Sequence, residues 1–169
     1  MSKETMPGLF RAHHVAITVP DLEAGVRFYS EVLGAVEMFR LGPFDAAQMP
    51  RQPDGRDWTE AHVNVPDARL WIANLKIGDN LVLELFRYER PDGGNPTPPR
   101  NHDIGGHHLA FHVKNIEEAA AFLRRKGVRL MDGPIEIKEG PSAGVRALYF
   151  LDPWGNQLEL IEHDRLFFV

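Results

Sequence analysis

The sequence predicts an α+β fold in which one β-α-β-β-β plan is used twice. Three observations predict it. The stretch HHVAITV at 13–19 is nearly repeated as HHLAFHV at 107–113. Each copy alternates apolar and polar positions like a half-buried strand, and each is followed by a helical pattern of similar length. Each half then ends in a strand carrying Leu-Glu-Leu, at Leu83-Glu84-Leu85 and Leu158-Glu159-Leu160. An internal duplication explains all three.

The elements follow in order. Residues 1–11 form a loose lead-in, and strand one spans 12–19. Asp21 is an N-cap type for a helix at 22–33, where Leu22, Val26, Tyr29 and Leu33 share a face. Gly34 stands where a helix C-cap needs positive φ. A short strand at 35–41 precedes residues 42–60, which carry no clear period and read as a long loop. Residues 61–67 are ambiguous between loop and strand. A strand at 68–77, a Gly78-Asp79-Asn80 turn and a strand at 81–89 form a hairpin. The Pro- and Gly-dense run at 91–106 reads as a linker. The second half repeats the plan. Strand 107–113 leads through the N-cap Asn115 to a helix at 116–126, closed by Gly127. Strands at 129–137 and 145–151, the turn DPWGN and a strand at 157–163 complete it. The apolar tail at 165–169 packs on its own sheet or on a second subunit, and a homodimer is the expected assembly. The chain, 1–169, thus reads as a single domain of two modules at about 11–90 and 106–162.

Composition narrows the function classes. A net charge of −5 with a pI near 5.9 gives no electrostatic case for a nucleic-acid partner. No apolar run approaches the ~18 residues of a membrane span, and the N-terminus has no signal-like apolar region. A cytoplasmic protein is the expectation. With no cysteine, thiolate catalysis and thiolate metal ligands are excluded together.

Strand alternation then picks out four residues. In strand one, Val15, Ile17 and Val19 point toward the helix and His14 points away. His108 holds the same place in the second copy. Glu84 and Glu159 likewise point away from the leucines that flank them. An unpaired carboxylate in an apolar strand is costly to bury, so its presence calls for a partner. Two modules related by a pseudo-twofold would bring together two imidazoles and two carboxylates, a donor set for Zn, Ni, Co, Fe or Mn. The alternative for Glu84 is a plain salt bridge to Arg69 or Arg87. His13 and His107 point the other way and read as rim or cap residues; His112, on the open face, reads as a structural histidine, with a catalytic or second-layer role as the alternative.

The segments HHVAITVPDLEAGVRFYSEVLG, GHHLAFHV and LDPWGNQLELIE resemble the opening strand and helix, second opening and closing turn of the vicinal oxygen chelate superfamily. That group includes glyoxalase I, methylmalonyl-CoA epimerase, extradiol dioxygenases and the fosfomycin and bleomycin resistance proteins. The resemblance implies a glyoxalase-like cupped half-barrel sheet built of paired βαβββ modules around a divalent metal, with His14, Glu84, His108 and Glu159 as ligands. It also implies a small-molecule substrate whose two neighbouring oxygens are chelated. The spacing differs between modules: His14 to Glu84 is 70 residues and His108 to Glu159 is 51, so module one carries about 19 extra.

The two-His, two-carboxylate set resembles glyoxalase I and the acyl-CoA epimerases. The expected activity is therefore a lyase, isomerase or epimerase abstracting a proton α to a carbonyl. With no Cys in the chain and no Lys expected in the cup, the bases are Glu159 and, from the other side, Glu84. A ring-cleaving dioxygenase is the alternative. Tyr149-Phe150-Leu151-Asp152-Pro153 resembles the dioxygenase signature, but the upstream run GPSAG lacks that signature's His. A non-catalytic drug-binding protein is the second alternative. Phe44, Met49 and Trp58 are expected as an apolar lid, and Trp71 in the core.

Overall fold

The computed structural model describes residues 6–92 and 94–164. The apolar tail at 165–169 lies outside the described residues. The chain falls into two compact units, Met1–Asp92 and Gly93–Val169.

The first unit contains β1 (Val15–Thr18), α1 (Leu22–Leu33), β2 (Val36–Asp45), a 3₁₀ turn (Ala46–Gln48), α2 (Trp58–Val63), β3 (Arg69–Ile77) and β4 (Leu81–Arg90). Its sheet has the order β1-β4-β3-β2. β1 and β4 run parallel, with Ala16 opposite Glu84, while β4, β3 and β2 pair antiparallel. Helix α1 lies against β3 and β4. Ile17, Val19, Leu22, Tyr29, Ala73, Leu75, Leu83 and Leu85 are all buried. Each such leucine contributes about 1.5–3 kcal/mol by leaving water.

The second unit contains β5 (Leu109–His112), α3 (Ile116–Arg125), β6 (Arg129–Leu130), β7 (Ile135–Glu136), β8 (Arg146–Leu151) and β9 (Gln157–Glu162). Its strand order is β5-β9-β8-β6, with β7 also on β8. Again the first and last strands are parallel, and Ala110 faces Glu159 as Ala16 faces Glu84. Helix α3 lies against β6, β8 and β9. Ile116, Leu123, Leu148, Phe150, Leu158 and Leu160 form the buried layer. These open sheets, each covered by a helix on one face, make the α+β class.

The caps form as the sequence predicts. Asp21 accepts from the Ala24 amide at 2.9 Å, and Asn115 accepts from Glu117 and Glu118. Gly34 closes α1 at φ 68°, a conformation that a Cβ would strain.

Three elements differ from the sequence reading. The long loop expected at 42–60 holds the end of β2, the 3₁₀ turn and the start of α2. Its order comes from two buried aspartates. Asp45 accepts from Arg69 at 3.0 Å and Arg90 at 2.8 Å. Asp57 caps α2 through the Glu60 amide at 2.8 Å and ties it to β3 through the Asp67 amide at 2.8 Å. The strand expected at 129–137 is split into β6 and β7 around Gly133-Pro134, because proline has no N–H for the ladder. Finally, the opening strands are shorter than expected. His14 and His108 therefore stand just before β1 and β5 rather than inside them.

Candidate functional site

The open face of each sheet carries one of the expected pairs. In the first unit, His14 Nε2 lies 3.4 Å from Glu84 Oε2. In the second, His108 Nε2 lies 3.2 Å from Glu159 Oε2. The parallel pairing of first and last strand brings each histidine beside its glutamate. The leucines on either side of each glutamate, in the buried layer, leave its carboxylate only the other face. The glutamates are well covered, with side chains 16% and 9% exposed, while the histidines are 41% and 37% exposed. Each pair thus reaches solvent through its imidazole.

Neighbouring groups set the histidines' roles. His13 Nδ1 and His14 Nδ1 are 2.8 Å apart. When His14 donates from Nδ1, its Nε2 lone pair faces Glu84, the tautomer a metal ligand needs. His107 Nδ1 donates instead to the Gly105 carbonyl at 3.3 Å. His112 Nε2 donates to the His163 carbonyl at 2.9 Å, a structural bond on its strand.

The residue opposite each glutamate on the neighbouring strand differs between the units. Tyr149 faces Glu159 across the ladder and packs edge-on to the His108 ring at 5.2 Å. Burial, then the charge of the Glu159 carboxylate that it faces, raises the Tyr149 pKa and keeps its hydroxyl protonated. Asn74 faces Glu84 and is 3% exposed, and its Nδ2 has no hydrogen-bond partner. The sequence reading passed over Asn74. The available signals were a polar residue in an otherwise apolar stretch of strand and its position ten residues before Glu84, as Tyr149 is before Glu159.

Glu84 does not pair with Arg69 or Arg87 as the alternative reading required. Arg69 binds Asp45 and Glu89, and Arg87 binds Glu89 and the Pro20 carbonyl. Those groups lie on the other face, where Trp71 donates to Glu89 at 3.2 Å. Trp71 is therefore part of a polar framework on the helix side and not of a lid. Phe44 and Trp58 do meet, their rings stacked at 5.5 Å, and Phe86 and Tyr88 stack at 6.1 Å on the strand that carries Glu84. One expectation is corrected. Lys76 alternates with Asn74 onto the Glu84 face, so that face does hold a lysine, exposed to solvent.

In chemistry, a neutral imidazole nitrogen turned on a carboxylate oxygen fits a borderline divalent ion. Among the described residues no group of three or more His, Asp or Glu side chains is placed to hold an ion. The donors come as two pairs, one in each unit.

Fold and pairs together define a glyoxalase-type protein. The family model described as the glyoxalase/bleomycin resistance protein/dioxygenase superfamily matches residues 13–163, and the chain belongs to that superfamily. It is 45% identical to a 2-epi-5-epi-valiolone epimerase of Actinomyces sp, over 95% of this chain and 84% of that protein. It is 27% identical to the human mitochondrial methylmalonyl-CoA epimerase, over 86% of this chain and 68% of that one. A glyoxalase family protein from Bacillus cereus shares the fold with TM-score 0.71 at 20% identity, covering 96% of this chain and 97% of that one. Another from Enterococcus faecalis gives TM-score 0.59 at 27% identity, covering 90% and 97%. These relatives support an enzyme of the isomerase or epimerase type. No helix among the described residues is long and apolar enough to cross a membrane.

Proposed function

We propose that the protein is a metal-dependent epimerase that inverts a carbon next to the carbonyl of a hydroxylated ketone, the substrate class named by its valiolone relative. One observation carries this reading. In a chain 45% identical to that epimerase, each unit turns an imidazole nitrogen on a carboxylate oxygen, in the same register of the same plan.

His14 with Glu84 in the first unit, and His108 with Glu159 in the second, are the donors each unit offers to a divalent ion. A divalent ion bound there supplies Lewis-acid polarisation of the ketone and an adjacent hydroxyl oxygen. The protein's own groups move the proton. Epimerisation removes the α-hydrogen as a proton and returns a proton to the opposite face, with no net oxidation. Glu159, beside His108 and opposite Tyr149, accepts the proton. In the first unit Glu84, beside His14, is the second base. Phe86 and Tyr88 supply apolar surface next to Glu84, which limits water around the carboxylate.

The test is incubation with 2-epi-5-epi-valiolone and a divalent ion in deuterated water, without oxygen. Deuterium should enter at the α-carbon and the second epimer should appear. Hemithioacetal, methylmalonyl-CoA and catechol controls, each with Ni, Zn or Fe, separate the other family activities. Oxygen uptake with catechol and no exchange with the ketone would place the ring-cleaving reaction ahead.

A further inference from the structure

Asn74 is a buried polar side chain with no assigned task. It lies in the middle of β3, between Ala73 and Leu75, both fully buried. Its Nδ2 has no partner. A buried amide donor is bonded in nearly every folded protein, so an unpaired one calls for a missing acceptor. Its cross-strand neighbours do not provide it. On one side Asn74 pairs with Phe39, which has no acceptor in its side chain. On the other it pairs with Glu84, whose recorded contact is His14 Nε2 at 3.4 Å. In the second unit the equivalent residue, Tyr149, faces its glutamate and is not among the buried atoms left without a partner.

A cation cannot serve as the partner, because Nδ2 offers only N–H groups. The group that fits is an oxygen lone pair brought in from outside, next to the Glu84 carboxylate. We infer that Asn74 is a substrate-binding residue, donating its side-chain N–H to a carbonyl or hydroxyl oxygen of the ketone beside Glu84. This rests on the epimerase reading for the identity of the ligand, but not on Glu84 acting as a base. It also explains why the two units differ at this position. Tyr149 packs on the histidine of its own unit, whereas Asn74 is left free for the ligand.

The experiment is calorimetric titration of the metal-loaded protein with 2-epi-5-epi-valiolone, for wild type, Asn74→Leu and Asn74→Asp. Leu keeps the volume and removes the donor; Asp keeps the shape and removes the donor. Metal content and melting temperature are measured on each. Losing one hydrogen bond to the ligand should weaken binding about tenfold in both variants. Metal content should be unchanged, and Asn74→Leu should melt no lower than wild type, since it removes an unpaired polar group. Ketone affinity within about twofold of wild type in both variants would overturn the inference, and so would a loss of affinity that follows a loss of metal or of folding. The outcomes also separate it from the proposed reaction. Wild type that binds the ketone through Asn74 without exchanging its α-proton sinks the reaction and leaves Asn74 standing. Turnover with undiminished binding in the variants sinks Asn74 alone. Wild type that does not bind the ketone overturns both.

Discussion

Glu84 and Glu159 sit in the same frame of the same strand type, yet their surroundings differ. Glu159 is the more covered of the two and faces Tyr149 across the ladder. Glu84 faces an amide that leaves it alone, and touches only His14 among the contacts recorded for it. A carboxylate so placed has a free oxygen for an ion or a proton. If Glu84 is a metal donor, its removal takes away the charged donor beside His14. Glu84→Ala should then bind the metal at least about tenfold more weakly in a metal titration. Unchanged affinity would make Glu84 a bystander and favour the ring-cleaving dioxygenase alternative.

Among the elements, the insertion in the first unit shows how a stretch without hydrophobic period becomes ordered. Its shape is fixed by Asp45 and Asp57, not by an apolar face. Amide N–H groups of Asp67 and Glu60, then the Thr59 hydroxyl, donate to Asp57 and pull its pKa from the usual 3.8 to about 2. The folded value is depressed, so the stabilisation is present above about 3.8 and is lost as pH falls toward 2. Melting curves of wild type and Asp57→Asn should therefore be well separated at pH 7 and converge near pH 2. A gap of the same size at both ends would mean that the charge on Asp57 does not hold α2. Asp57 followed three residues later by Glu60 was a visible N-cap signal, which the lack of a helical period obscured.

At the scale of the whole molecule, the family match over 13–163 takes in both copies of the plan. If a divalent ion binds the folded chain and not the unfolded one, it stabilises the fold by mass action. At an ion concentration of about 100 times its dissociation constant this amounts to about 2.7 kcal/mol. Chelation should lower the wild-type melting temperature and leave His14→Ala or His108→Ala at their already lowered values. A wild-type melting curve that chelator does not move would argue against a bound structural or catalytic ion.

The sequence alone determined the repeated plan, the helix caps at Asp21 and Asn115, and the four residues on the open faces. All of these follow from local rules: strand alternation sets which way Glu84 and Glu159 point, its period carried one residue back from β1 and β5 locates His14 and His108, and capping needs only near neighbours. Tertiary structure decided what each of them touches. The parallel pairing of β1 with β4 and of β5 with β9 joins residues far apart in the chain, and only that register sets His14 beside Glu84 and His108 beside Glu159. The antiparallel registers of β3 with β4 and of β8 with β9 likewise put Asn74 across from one glutamate and Tyr149 across from the other. Alternation gives the direction of a side chain but not its cross-strand neighbour. For that reason the two carboxylates looked alike in the sequence and differ in the folded chain.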